Sequence, residues 1–176
     1  MKNKTTAVQL RILCAAAVLM GLNIAASSCG IPVPGGHFYL NDVIICTAAL
    51  LLPAWYSFAV GGIGAFLGDV FFYPTPMWVS LATHGLQALA ITLIVRSPFG
   101  KKHPFAASWI GVSVGAVIMV VGYSLGRAFI YSTPEYAIMK LPYQILQAVV
   151  GAVLGVLLVH KFGVGKAYRK VILGEK

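Results

Sequence analysis

The chain has 176 residues, enough for one ordinary domain; 59% are hydrophobic, 10% are charged, and the mean hydropathy is +0.87. Soluble domains carry about 25% charged residues, so this composition excludes a water-facing globular surface. It also excludes disorder, which needs low hydrophobicity and high charge. Thirteen Lys and Arg against four Asp and Glu give a formal net charge of +9, a balance that fits either nucleic-acid binding or the positive-inside rule of membrane proteins.

Polar and Pro/Gly-rich punctuation cuts the chain into six apolar segments, at 7–28, 39–55, 57–73, 77–96, 105–128 and 141–161. A helix rises about 1.5 Å per residue, so near 20 residues cross a hydrocarbon core about 30 Å thick. The first segment has a rival reading as a signal peptide, because Met1–Arg11 is basic and Ala26-Ser27-Ser28-Cys29 has the look of a lipoprotein cleavage site. Its long apolar stretch and the five further segments argue for a retained helix. The second and third segments are on the short side. The fifth, typified by Ile110–Gly126, lacks the alternation a membrane β-strand requires. The expected fold is an all-α integral membrane protein, a single domain over residues 1–176 folded as a six-transmembrane-helix bundle.

With six spans, both termini and the 97–104 loop share one side. That side collects Lys2, Lys4, Arg11, Arg96, Lys101, Lys102, Lys161, Lys166, Arg169, Lys170 and Lys176, and the other collects Arg127 and Lys140. The bias places the N- and C-termini in the cytoplasm and explains the positive charge without nucleic acid. Cys14, Cys29 and Cys46 have no metal-ligand spacing, and the two in apolar runs read as small buried hydrophobes. Trp55, Trp78 and Trp109 fit an interfacial belt.

Ionisable and strongly polar groups inside a membrane are expensive and usually functional. Asn41 and Asp42 open the second span, and Asp69 lies near the end of the third. Ser80, Thr83, His84 and Gln87 follow the spacing i, i+3, i+4, i+7, one face of a helix. Tyr123 and Arg127 are one turn apart; Lys140 precedes Gln144 and Gln147, which share a face. All fall in the outer half of the expected topology, which points to a pocket open to the outside and closed beneath. A pore or proton relay would carry polar groups through the full depth. Each residue has a plainer reading: His84 bonded within the bundle, Asp42 capping its helix, Arg127 snorkelling to the interface.

Small residues recur at helix-packing spacing: Ala17, Gly21 and Ala25; Gly61 and Ala65; Gly111, Gly115, Gly122 and Gly126; Ala148, Gly151, Ala152 and Gly155. The first set sits on a span almost free of other polar residues, so it can serve internal packing or a separate membrane partner. No phosphate-binding G-x-x-x-x-G-K-[ST] loop is present, so the usual fold for ATP hydrolysis is missing. Gly62, Gly64 and Gly68 miss the dinucleotide spacing, and the four histidines are too scattered for a zinc signature. No nucleophile-and-base pair stands out, no cofactor or metal is expected, and no internal repeat of the secondary-transporter kind is evident.

The run Ile31-Pro-Val-Pro-Gly-Gly-His-Phe-Tyr-Leu-Asn-Asp42, then Gly61-Gly-Ile-Gly-Ala-Phe-Leu-Gly-Asp69, Tyr73-Pro74, Gly122-Tyr123 and Leu141-Pro142 ahead of Gln147 together resemble the substrate-binding S components of energy-coupling factor (ECF) vitamin transporters. The resemblance is to the branch with riboflavin-type and hydroxymethylpyrimidine-type members, and it runs from about Ala7 to His160. It implies a subunit that binds a small water-soluble vitamin or precursor near the outer face, under a roof formed by the loop between spans one and two. It further implies a membrane T component and two cytoplasmic ATPases as partners, with the T-component contact on helix one mapping to Ala17 and Gly21; Ala15 and Ala16 offer a neighbouring register. The candidate substrate-binding residues are Asp42, Asp69, Ser80, His84, Gln87, Tyr123, Arg127, Gln144 and Gln147. His84 replaces a Lys common among relatives, and Arg127 a Glu; these changes favour a neutral or acidic ligand over a cation. The rival readings are a small membrane enzyme or assembly factor and an autonomous secondary transporter.

Overall fold

The structure, a computed structural model, describes residues 2–174. Lys176 and the side chains of Lys2 and Lys4, counted above among the basic residues, lie outside the described parts. Nine α-helices and one small hairpin make up the described chain: α1 (Lys2–Ala26), β1 (Ile31–Val33), β2 (Gly36–Phe38), α2 (Asn41–Leu51), α3 (Ala54–Phe58), α4 (Gly64–Phe72), α5 (Met77–Arg96), α6 (Pro98–Lys102), α7 (Pro104–Gly126), α8 (Pro134–His160) and α9 (Val164–Ala167). A π-helical turn at Ala59–Ile63 fuses α3 to α4, a second at Arg127–Tyr131 extends α7, and a third ends the described chain at Tyr168–Leu173. Five helical stretches are long and apolar enough to cross a membrane: Thr6–Ala26, Ala54–Phe72, Met77–Arg96, Pro104–Tyr131 and Pro134–His160. The protein is an all-α membrane protein in this sense, with the hairpin as its only sheet among the described residues.

Three features differ most from the sequence-based expectation. The segment expected at 39–55 is helical only over the 11 residues of α2, about 17 Å at 1.5 Å per residue. Leu52 turns to extended backbone (ψ 158°) ahead of Pro53, the conformation a residue before proline prefers. The helix expected to start at 141 starts instead at Pro134 and carries Pro142 in its interior. The loop after α1, for which no secondary structure is expected from hydropathy, forms the hairpin, with Ile31 opposite Phe38 and Val33 opposite Gly36. Its turn follows from Pro34-Gly35: the glycine takes φ 78°, the left-handed value a type II turn demands after a proline.

In lipid, helices gain nothing from hiding apolar surface from each other, so close van der Waals packing and buried hydrogen bonds carry association. The most extensive helix pairs are α5 with α7 and α2 with α8. Ile45, Cys46, Ala49, Ala88, Ile91, Val112, Ala152 and Val156 form the central cluster, with Trp109 packed against it. Trp109 therefore belongs partly to the core, whereas Trp55 and Trp78 stand exposed on the bundle's exterior. Of the cysteines, Cys46 is buried as expected; Cys14 and Cys29 are exposed.

The end of the bundle away from the hairpin is tied by polar contacts. Arg96 donates to the carbonyls of Leu51 (3.2 Å) and Leu52 (3.3 Å), satisfying the last turn of α2. Ser108 and His160 are 2.9 Å apart, joining the start of α7 to the end of α8. Arg11 reaches the carbonyl of Val171 at 3.3 Å, so the C-terminal turn lies along α1.

Candidate functional site

The opposite end of the bundle holds a cavity of about 50 Å³ beneath the hairpin. Its walls come from α4, α5, α7, α8 and the start of α2, and its roof from Gly36, His37 and Tyr39. Six of the nine candidate residues line it: Asp69, His84, Tyr123, Arg127, Gln144 and Gln147. The other three stand behind them. Asp42, 1% exposed, accepts from Gln87 Nε2 (2.9 Å) and from Gln147 Nε2 (2.8 Å). It does not cap α2, whose N-terminus has no side-chain cap. Gln87 Oε1 lies 2.7 Å from His84 Nδ1, and Ser80 donates to Asp69 while accepting from Tyr123.

These bonds form two chains through the buried wall. The first runs from His84 through Gln87 and Asp42 to Gln147, whose oxygen accepts the Tyr39 backbone N–H at 3.1 Å. The second runs from Tyr123 through Ser80 to Asp69. The Ser80, Thr83, His84 and Gln87 face of α5 is buried as a unit, as its spacing predicts. Gln144 differs from its neighbour in role: it donates to the carbonyl of Val120 at 3.0 Å and so pins α8 to α7.

Close helix approach makes this wiring possible. At Gly151 a Cβ would overlap the Asp42 side chain and backbone, so only glycine lets α8 bring Gln147 within reach of Asp42. The π-turn at Ala59–Ile63 offers the Val60 carbonyl to Asn23 Nδ2 at 2.7 Å, and Asn41 Nδ2 reaches Ser27 Oγ at 2.7 Å. These bonds secure α1 against α2 and α4 beside the cavity.

Two cations hold the roof. Arg127, at the first position of the π-turn after α7, donates to the carbonyl of Gly35 at 2.5 Å, and Lys140 donates to the carbonyl of His37. Arg127 therefore bonds the hairpin rather than snorkelling to the interface. Lys140 is only 3% exposed. Hydropathy places it just ahead of the sixth span, but the longer α8 carries it inside. Tyr39, half-buried beside Asp69, has its phenol pushed above the usual range, chiefly by burial, so its hydroxyl stays protonated.

The cavity residues outside the candidate set include Tyr39, Asn41, Tyr73, Tyr131, Lys140 and His37. Asn41 and Lys140 carry the signal of a polar residue in an apolar run. The tyrosines give no such signal, because they also suit an interfacial belt. Four buried polar atoms at the cavity lack a protein partner among the described residues: His37 Nδ1, Asn41 Oδ1, Arg127 Nε and Tyr131 OH. Native proteins seldom leave such groups unbonded. Among the described residues no cluster of three His, Cys, Asp or Glu is placed to hold a metal.

A second surface lies on α1. Ala17 and Gly21 are exposed, and a Cβ at Gly21 would meet nothing within 4 Å. The opposite face of α1, with Ala16 and Asn23, is the buried one, and Ser27 just past its end is buried as well. The small residues therefore do not serve internal packing.

The described chain is an apolar helical bundle with a polar cavity at one end. Sequence comparison gives its class: residues 7–168 match the family model described as ECF-type riboflavin transporter, S component, and the chain belongs to that family. It is thus a multi-pass cell-membrane protein, a transporter subunit of the vitamin-binding kind rather than an enzyme. A curated protein of Pyrococcus woesei, described as an uncharacterized protein in the gap 3' region, is 28% identical over 127 residues, covering 71% of this chain and 82% of the relative.

Proposed function

We propose that this chain is the substrate-capture subunit of an ECF-type importer, binding a small water-soluble vitamin or vitamin precursor in the cavity beneath the hairpin. The observation that carries this reading is one polar cavity lined by four residues that each carry a buried, unpartnered polar atom, in a chain of the S-component family. On this reading α2 counts as a sixth, shortened span, the whole chain is one membrane domain, both termini are cytoplasmic, and the cavity faces outside. Asp69, His84, Tyr123, Arg127, Gln144 and Gln147 touch the ligand; Asp42, Ser80 and Gln87 set their geometry. No covalent chemistry is needed.

A cavity of about 50 Å³ is far below the roughly 300–1,000 Å³ of ordinary ligand pockets. In the proposed cycle the hairpin moves outward to admit the vitamin, breaking the Arg127–Gly35 and Lys140–His37 hydrogen bonds. The energy for release inside comes from partners, a T component in the membrane and two cytoplasmic ATPases. The exposed Ala17 and Gly21 face of α1 supplies the close helix contact to the T component.

Proteoliposomes test this directly. The subunit alone binds labelled vitamin without accumulating it, and accumulation appears only when the T component, both ATPases and ATP are supplied. Accumulation by the subunit alone identifies an autonomous transporter and overturns the proposal.

A further inference from the structure

The chemistry of the cavity narrows its ligand, and this step rests on the capture reading above. Both cations at the roof, Arg127 and Lys140, spend their hydrogen bonds on backbone carbonyls of the hairpin. Neither forms an ion pair with a carboxylate among the described residues; the one pair within 4.0 Å is His84 with Asp42. Neither of the two acids near the cavity bonds to Arg127 or Lys140 among the described residues, although Asp69 lines the cavity with them. Asp42 lies behind the wall with each oxygen taken by a glutamine amide, and Asp69 accepts from Ser80. Arg127 Nε is buried and unpartnered, and the ring of Tyr131, whose own hydroxyl is unpartnered, lies 5.4 Å from the guanidinium carbon.

A buried ammonium, or a half-buried guanidinium, whose partners are neutral carbonyls and an aromatic ring is only partly compensated for its lost hydration. A carboxylate or phosphate repairs that deficit, and it matches the planar guanidinium fork better than any neutral group. It also accepts from Tyr131 OH and from protonated Tyr39. We infer that the ligand carries an acidic group, a carboxylate or a phosphate, seated between Arg127 and Lys140 under the hairpin. Because these two cations also hold the roof, the acid competes with the Gly35 and His37 carbonyls for the same donors. Ligand binding and movement of the hairpin are then one coupled event.

Matched acid and neutral pairs test the inference: nicotinate with nicotinamide, pantothenate with pantothenol, and flavin mononucleotide with riboflavin, with thiamine as the cation. Binding to the purified subunit in detergent is read by thermal stabilisation and by titration. In the pair that binds, the acid is expected to bind more tightly, and the pair identifies carboxylate or phosphate. Arg127→Gln and Lys140→Gln should each weaken the acid by on the order of thirtyfold or more and weaken the neutral partner far less. A purely roof-holding role would weaken both members alike. Equal or tighter binding of a neutral member or of thiamine overturns the inference and leaves the capture reading standing. Failure of every compound to bind overturns both. The wild-type comparison decides the matter even where a variant does not fold.

Discussion

Gln147 donates its side-chain amide to Asp42 across 2.8 Å, joining α8 to α2 between residues 105 positions apart in the chain. The same side chain accepts the Tyr39 N–H at 3.1 Å, so a single glutamine connects a buried carboxylate to the segment that leads out of the roof. Asp42 in turn holds Gln87, and Gln87 meets His84. This part of the buried wall is thus a continuous hydrogen-bonded chain in which each member orients the next.

Replacing Gln147 by Leu strips a donor from the buried Asp42 carboxylate and an acceptor from Tyr39. The expected cost is about 2–3 kcal/mol of stability, as for lost hydrogen bonds to a charged group. Thermal unfolding in detergent should show a clear fall in Tm, against almost none for Val149→Ala on the exposed face of the same helix. Equal losses at the two positions would show that the network contributes nothing.

Gly151→Ala places a methyl group against Asp42. The helices must separate, at an overpacking cost of about 1–3 kcal/mol, and Gln147 moves out of reach of Asp42. Reduced Tm together with weakened ligand binding is the expected pair of readings; unchanged binding would mean that α2 and α8 need not approach so closely.

Gly21→Leu behaves in the opposite way. With nothing near its added side chain, the isolated subunit should keep its Tm and its ligand affinity. Co-purification with the T component and ATPases should drop sharply, as it should for Ala17→Leu. Undisturbed assembly in both variants would place the partner contact elsewhere.

Gly35→Ala tests the roof. The residue sits at φ 78° and packs against Lys140 and the Tyr136 carbonyl, so an L side chain there costs about 1–2 kcal/mol in backbone strain alone and meets a tight contact besides. Hydrogen exchange across residues 31–38 should quicken while exchange in α5 and α7 stays the same. If the hairpin exchanges no faster, the turn is not what holds the roof in place.

Much of this architecture is legible in the sequence, for physical reasons. Hydropathy finds the long helices because lipid forces their backbone bonds inward, and the four-residue rhythm of Ser80, Thr83, His84 and Gln87 reports one buried face. The hairpin is not legible by that route, since its six strand residues form too short a pattern; Pro34-Gly35 is the only local signal. Pro142 misplaces the start of α8, because proline marks a probable helix boundary in water, whereas within a bundle neighbouring groups tolerate it. Lys140 is misplaced for the same reason, and with it one of the two cations of the roof. The difference between lining residues and supporting ones, such as Asp42, Ser80 and Gln87, depends on tertiary geometry that spacing along one helix does not contain.

The most direct test of the central claim is to purify the subunit without partners, denature it and identify by mass spectrometry what it released. A vitamin or vitamin precursor present in stoichiometric amount, and lost in His84→Ala and Arg127→Ala, is the result expected of a capture subunit. A protein that releases nothing, and that no compound in a vitamin panel stabilises against heat, would contradict it.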